Sequence, residues 1–296
     1  MFPAAALSFL RCPVCGTGFS VADHSLRCET GHSYDIARQG YVNLLPGDAR
    51  PGTADTADMV AAREGFLESG HFAGLRRLIA EAAGRAVAEA GGGSGAGAGG
   101  SDAAGGCIVE VGAGTGYYLA GVLDHLPGAV GLALDISKFA ARRAARAHER
   151  MAAVVCDAWK ALPITDGAAD LVLDVFAPRN PAEFRRILRP DGRLLVVTPT
   201  AGHLRELVAA LGLVTVDERK AERLEQALGA DFAPVSSEGY EELLLLGAAE
   251  AAAVVEMGPS ARHLSADELR TRLAALGGPL TATLSVTVAT YSPRTP

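Results

Sequence analysis

From Cys107 onward the chain repeats one pattern: a short apolar run, a turn marked by glycine or an acid, then a stretch with helical spacing. Cys107-Ile-Val-Glu-Val111 is a β-branched run closed by glycines, and Tyr117 to Leu126 continues as helix. Val130 to Leu134 predicts a second strand that stops at Asp135, and Ala153 to Cys156 a third that stops at Asp157. Asp170 to Phe176 predicts a fourth, ending at Ala177-Pro178, and Arg193 to Val197 a fifth after the turn Pro190-Asp191-Gly192. Glu241 to Leu246 and Thr281 to Thr290 read as two more strands closing the sheet, with helical and loop material between them and at 218–240. Such alternation implies an α/β, doubly wound, mostly parallel seven-stranded sheet with helices on both faces and ligands at the carboxyl ends of its strands.

The residues before Cys107 are organised differently. Cys12-Pro-Val-Cys15 and Cys28-Glu-Thr-Gly31-His32 form two knuckles joined by a hairpin-like stretch. Three thiols and an imidazole at this spacing are the donor set of a tetrahedral Zn2+, with CxxC supplying two ligands from one turn. A unit this small cannot hold itself together by burial, and a structural zinc supplies on the order of 10 kcal/mol of folding free energy. A connector with proline and glycine, Pro46 to Thr56, leads to a helical pattern from Ala57 to Ala90, which ends in the glycine-rich tract Ala90 to Ser101. The expected division is a zinc-binding module at 1–47, a helical connector with a flexible linker at 48–106, and the α/β domain at 107–296.

Composition narrows the setting. At 296 residues and 49% hydrophobic, the chain can bury the core of one large or two modest domains. No uncharged apolar run reaches the ~18 residues of a membrane helix, so a cytoplasmic protein without membrane contact is expected. With three of five cysteines in the metal pattern, reduced thiols fit better than a disulfide framework, and Cys107 and Cys156 read as small buried hydrophobes. The net charge of −7 gives no general sign of nucleic-acid binding. Any such site must be local: Lys138, Arg142, Arg143, Arg146 and Arg150 oppose only Glu149, and four of them recur every four residues along one helix face. A solvated helix face explains that stripe equally well.

Glu110-Val-Gly112-Ala-Gly114-Thr-Gly116 carries the chemistry of the larger domain. Tyr117 follows where a dinucleotide fold would place a spacer and a further glycine, so the register leans away from NAD and towards S-adenosylmethionine (SAM). Glycines let the backbone approach a nucleoside and its amino-acid tail. Glu110 is suited to the ammonium of the methionine moiety, Asp135 to the ribose, and Asp157 with Ala158 to the adenine edge; Tyr117 and Phe176 flank the methyl donor. Together the motifs describe a class I SAM-dependent methyltransferase carrying a small N-terminal zinc module.

These residues, with His32-Ser-Tyr-Asp35-Ile-Ala-Arg-Gln-Gly40-Tyr-Val-Asn-Leu-Leu-Pro46, Ala57-Asp-Met-Val-Ala-Ala-Arg63-Glu-Gly-Phe-Leu67, Gly70-His71, Phe176-Ala-Pro178 and Thr198-Pro199 with His203-Leu-Arg-Glu-Leu207, resemble the RlmA-type large-subunit rRNA guanine-N1 methyltransferases over nearly the whole chain. The resemblance implies a zinc module that helps engage rRNA, homodimerisation, and methylation of one guanine in a 23S rRNA hairpin near the macrolide-binding tunnel. The Ala/Gly/Arg-rich composition favours the Gram-positive branch, where that methylation contributes to resistance to tylosin-class macrolides. The chain departs from the family pattern in its glycine tract and in Asp174.

Guanine N1 carries a proton that must leave. The sequence does not identify the base that takes it, and Asp174 is the candidate named. Since pairing hides N1 inside a duplex, the target base must be unpaired or flipped out, with Phe176 or Tyr117 supporting it. Trp159 reads as a core or rim residue, His71 and His203 as histidines with structural partners, and Arg185, Arg186 and Arg189 as a solvated helix end. Two other readings stay open: a small-molecule methyltransferase with a purely structural zinc, and a non-catalytic zinc-dependent RNA-binding factor. Intact Glu110, Asp135 and glycines argue against the second.

Overall fold

The computed structural model describes residues 2–47, 49, 52, 54–91, 106–213, 226–258 and 266–294. A short 3-10 turn, Ala4–Phe9, leads into an antiparallel sheet of β1 (Phe19–Ala22), β2 (Ser25–Cys28) and β3 (Ser33–Asp35). Next come β4 (Tyr41–Asn43), α1 (Ala57–Glu68) and α2 (Ala73–Gly91). The α/β part contains β5 (Cys107–Val111), α3 (Tyr117–His125), β6 (Val130–Asp135), α4 (Lys138–Ala147), β7 (Met151–Val155), β8 (Ala169–Val175), α5 (Pro181–Ile187), β9 (Leu188–Pro199) and α6 (Arg205–Leu211). It closes with β10 (Phe232–Leu246), α7 (Ala248–Glu256), α8 (Ala266–Leu276) and β11 (Leu280–Pro293).

The seven strands of the α/β part lie in the order β10-β11-β9-β8-β5-β6-β7, and β10 and β11 are antiparallel to their neighbours. Strand order reverses between β5 and β8, which opens a crevice above their carboxyl ends. The expected loop material at 232–240 is strand: β10 pairs with β11 from Phe232 onwards, and the long partner strand overrides a local sequence rich in Ser, Glu and Gly. Residues 214–225, and the glycine tract from residue 92 to 105, lie outside the described residues.

An eighth strand comes from the first 47 residues. Tyr41, Val42 and Asn43 pair in parallel with Ala153, Val154 and Val155 at the edge of the sheet, and the Leu44 amide donates to the Val155 carbonyl at 2.9 Å. Leu10, Leu26, Val42 and Leu44 therefore share one core with β6, β7 and α5, on one face of the sheet. A second tie runs through the loop after β7. The Arg11 amide donates to the Pro163 carbonyl, the Thr165 amide to the Phe9 carbonyl, and Asp166 pairs with both Arg11 (2.7 Å) and Arg186 (2.6 Å). Arg186 is thus no solvated helix end; its fork also spans Glu183 and the carbonyls of Leu162 and Ile164, a geometry suited to guanidinium.

The continuous helical pattern from Ala57 to Ala90 divides in two. Thr56 caps α1 by accepting from the Met59 amide, and Gly70, at φ 88, reverses the chain before α2 begins. Both helices pack on the opposite face of the sheet, where Phe66, Leu75 and Ile79 join the core with α3, α7 and α8. Among the described residues no helix is long and apolar enough to cross a membrane.

The shared core makes the first 47 residues part of one folding unit. Leu44→Ala should destabilise the whole protein by about 2–5 kcal/mol, seen in urea unfolding by circular dichroism as a single transition moved to lower denaturant. A separate early transition, with the main one unmoved, would show an independent module.

Candidate active site and zinc centre

The glycine turn runs from β5 to α3 and is held by its own backbone and two acids. Gly112 (φ 68) lies so close to the segment after β8 that a Cβ there would meet the Ala177 Cβ at 2.6 Å. Gly116 (φ 79) caps α3, and a Cβ on it would run into the Met151 sulfur and the Ala144 backbone. Both positions exclude any larger residue. Asp135, at the end of β6, accepts from the Gly114 and Ser137 amides, each at 2.8 Å, and so fixes the turn against the next strand. Burial raises its pKa while those two amides pull the other way. Glu110 is buried under the turn, accepts from the Leu119 amide at 3.2 Å, and is pushed up to about 8 by desolvation.

Above the turn lies a cavity of about 610 Å³. Glu110, Asp135 and Asp157 line it in the order of β5, β6 and β7, together with Gly112 and Gly114 of the turn, Tyr117, Ala158 and Phe176; Gly116, packed against Ala144 and Met151, does not reach it. Acceptors at three successive strand ends, beside backbone that admits close approach, fit a ligand bearing an ammonium, a ribose and an adenine amino group. The Asp157 turn is itself anchored: its carboxylate accepts from the Trp159 amide at 2.9 Å, and Asn180, which caps α5, donates to the Ala158 carbonyl at 3.1 Å.

The cavity has a cover that the strand motifs do not foreshadow. Asp55, Met59 and Arg63 reach over it from α1 and the residue before its cap, and Met257 and Gly258 from the end of α7. The Arg63 guanidinium pairs with Asp55 and donates to the Met257 carbonyl at 2.8 Å, and its side chain runs 3.5 Å from where a Cβ on Gly114 would lie. The Ser137 hydroxyl donates to the Asp55 carbonyl at 2.8 Å, which joins the cover to the Asp135 loop. Arg63 stands in the stretch from Ala57 that carries the family resemblance, and that stretch is the signal in the sequence that could have found it.

The remaining candidates divide. Phe176 stands on the cavity wall, 39% exposed and with left-handed backbone at φ 56. Tyr117 lines one edge and carries the Arg76 guanidinium over its ring, 5.0 Å from the centroid. Trp159 is a rim residue, 64% exposed. Asp174 does not reach the cavity. It points from β8 into the interior, fully buried, and pairs with Arg179 at 3.2 Å; an acid one residue out of phase with Val175 faces away from the ligand side. His71 pairs with Glu250 at 2.8 Å and stacks on Phe66, a structural partnership as expected. Cys107 and Cys156 are buried thiols whose pKa burial raises.

Apart from the cavity, the donor atoms of Cys12, Cys15, Cys28 and His32 all lie within 4.8 Å of one another. Cys15 and Cys28 sulfurs are 3.6 Å apart, and His32 Nδ1 is 3.3 Å from Cys28 and 3.7 Å from Cys12. A tetrahedron with Zn–S near 2.3 Å and Zn–N near 2.0 Å has edges of about 3.5–3.8 Å, so the four atoms already frame a zinc ion. Hydroxyls support the thiolates. Thr17 and Thr30 hold Cys15 down to about 5, and for Cys28 the bonds from Thr30 and His32 outweigh burial and leave it at about 7. Tyr34 stands 3.6 Å from Cys12. Such outer contacts orient the ligands of metal sites.

Comparison with known proteins agrees with both centres. Family models described as "RlmA, N-terminal" and "Methyltransferase domain" match residues 10–50 and 108–192. A 23S rRNA (guanine(748)-N(1))-methyltransferase of Streptomyces fradiae is 50% identical across 96% of this chain and 97% of its own length. A Micromonospora griseorubida protein provisionally named a 23S rRNA (guanine-N(1)-)-methyltransferase is 52% identical across 97% of this chain and 98% of its own. The chain belongs to the 23S rRNA (guanine-N1) methyltransferase family. As a member of that family it is a SAM-dependent methyltransferase with a zinc ribbon, and both donor sets described above fit their cofactors.

Two outcomes follow for this rRNA methyltransferase. Cys28→Ser should lower the zinc content from about one ion per chain to none, measured by elemental analysis, because three ligands no longer close the tetrahedron; retained zinc would overturn the ligand set. For Glu110 the sign runs against stability. The unfolded chain releases this proton near the ordinary value of 4.5 and the folded chain keeps it to about 8, so the residue costs stability progressively between those pH values and by a constant amount above them. Glu110→Gln should therefore melt higher than the wild type above pH 8 and alike below pH ~4.5. Its SAM affinity should fall roughly tenfold or more in calorimetry, since the ammonium then meets a neutral amide in place of a carboxylate.

Proposed function

We propose that this chain transfers the methyl group of SAM to N1 of a guanine in a 23S rRNA hairpin. The observation that carries the reading is a cavity in which the three strand-end acids and the glycine turn meet an exposed aromatic, Phe176, on the wall. The near-full-length relatives named for this reaction support it. SAM supplies an electrophilic methyl on a positively charged sulfur. In the transfer the N1–C bond forms, the C–S bond breaks with its electron pair going to sulfur, and the N1 proton leaves to solvent.

The residues do the positioning, an effect of proximity and orientation. Glu110 takes the ammonium and, in doing so, gives up its own proton; Arg63 above Gly114 takes the carboxylate of the methionine moiety. Asp135 holds the ribose hydroxyls, Asp157 and Ala158 the adenine edge, and Gly112 and Gly114 let the backbone come close, while Gly116 lets the start of α3 pack on Ala144 and Met151. Tyr117 closes one edge, and Phe176 supports a base that has left its stack. Asp174 keeps its partner Arg179 and takes no part.

RNA is held by the zinc module at 1–47 and by α4; from the connector at 48–106, Asp55, Met59 and Arg63 cover the methyl donor, and the α/β domain at 107–296 supplies the strand-end acids and the glycine turn. On α4, Lys138, Arg142 and Arg146 are exposed, Arg143 is engaged with Glu64 at 2.9 Å, and Arg150 lies beyond the helix end. Arg150 is turned inward to the carbonyls of Leu123, Leu126 and Ala129, satisfying the end of α3, so the basic stripe has three members rather than four. A homodimer in the cytoplasm, and a role in resistance to tylosin-class macrolides, complete the reading on the strength of the family resemblance.

The test is incubation with labelled SAM and unmodified 23S rRNA, with the modified base located by the reverse-transcription stop that an N1-methylguanine causes. One stop at a hairpin guanine is expected, and label entering only small molecules would sink the reading. Arg142→Glu with Arg146→Glu should weaken rRNA binding and flatten its salt dependence by about 0.7–0.9 in log–log slope for each phosphate no longer neutralised. SAM affinity should stay unchanged.

A further inference from the structure

Every phenylalanine, tyrosine and tryptophan of the chain lies within the described residues, and just two of them, Trp159 and Phe176, are exposed. Both stand on the wall of the cavity that holds the strand-end acids. Phe176 has its use there as support for the target base. Trp159 has been given none, and at 64% exposure it keeps a large apolar ring in water.

The turn that carries Trp159 leaves the ring little freedom to fold inward. The Trp159 amide donates to the Asp157 carboxylate at 2.9 Å, and the Lys160 amide to the Asp157 carbonyl at 3.1 Å. From the other side, the Asn180 side-chain amide donates to the carbonyls of Ala158 (3.1 Å) and Lys160 (3.4 Å). Asn180 also caps α5, so the turn is tied to the helix that follows Phe176. A backbone bonded on both sides of the indole presents it as a fixed plane at the rim.

The surroundings of that plane indicate what covers it. Lys160 is exposed next to it, and Lys138, which begins α4 just after Asp135, is exposed at the same carboxyl end of the sheet. A flat ring beside cations matches an unpaired nucleotide, whose base stacks while its phosphate meets the charge. SAM carries no phosphate, and its adenine edge falls to Asp157 and Ala158, which are half-buried. The strands that lead to Trp159 and Phe176, β7 and β8, have β5 and β6 between them, about 14 Å at the usual spacing. That width suits two bases of one loop better than the two faces of a single base.

We propose that Trp159 is an RNA-binding residue: an unpaired base beside the target guanine stacks on its indole while Phe176 supports the guanine itself. The inference rests on the rRNA methylation reading above. An indole face accepts any base, so the contact adds affinity without reading sequence. Its effect falls on the RNA and leaves the methyl donor alone.

Trp159 is the chain's one tryptophan, so its fluorescence reports on this position alone. With S-adenosylhomocysteine bound to prevent turnover, adding a 23S rRNA hairpin should quench that emission, whereas S-adenosylhomocysteine by itself should leave most of it. Trp159→Ala should lower kcat/KM on the hairpin by roughly 5- to 150-fold, the worth of one base–aromatic stack, with the loss carried by KM and not by kcat. Its SAM affinity and melting temperature should match the wild type, and Trp159→Phe should recover much of the loss. An unchanged KM in Trp159→Ala overturns the proposal. So does quenching by S-adenosylhomocysteine alone together with weakened SAM binding in Trp159→Ala, which would put the indole against the adenine. A wild type that neither binds nor methylates the hairpin overturns the rRNA reading itself, and this proposal with it.

Discussion

Three residues of backbone pairing decide how the molecule is put together. Tyr41–Asn43 lies along β7, and β7 leads into Cys156, Asp157, Ala158 and Trp159, which form one wall of the cavity. The same loop, a few residues on, is gripped through Asp166 by Arg11, the neighbour of the zinc-type ligand Cys12, and by Arg186 of α5. Metal centre, sheet edge and adenine-side wall are thus links of one short chain of contacts. Small metal modules draw their folding energy from the ion; here the apolar residues Leu10, Leu26, Val42 and Leu44 add a core shared with the catalytic sheet.

Charge is arranged by depth. The chain as a whole is acidic, with a net charge of −7, and three of its acids are gathered at the strand ends under the cavity. Such a site favours a cationic donor, and burial holds Glu110 protonated until a cation arrives. On the outer face of α4, Arg142 and Arg146 face solvent beside Lys138. An acidic average and a basic patch are compatible because screening restricts surface fields to about 8–10 Å.

Much of this was legible in the sequence, for physical reasons that can be named. Strands β5 to β8 are mostly apolar because both faces of a parallel sheet are covered, with acids such as Glu110 and Asp135 standing out within them, and glycines at 112, 114 and 116 mark a turn that only glycine can make. The zinc-type ligands announce themselves by spacing alone. What was hidden depends on tertiary contact. Tyr41–Asn43 is too short to show a period, Arg63 and Asp55 reach the cavity only because α1 folds back over it, and Arg150 leaves the basic stripe because α4 stops at Ala147. The orientation of Asp174 needed the phase of β8, which a run of apolar residues on both faces does not reveal.

The parallel pairing of β4 with β7 has one more consequence. A knuckle carried on a free tether could settle wherever its partner offered a foothold, but here the Cys12–Cys15 turn follows Leu10 and Arg11, which are held to the core and to the loop after β7 of the sheet that carries the Phe176 rim, so their separation is set by the fold. On the proposed reading, in which the zinc module holds the RNA, the protein acts as a calliper: a folded RNA can touch both jaws only if its stem has the matching length, so dimension would be read before any base is.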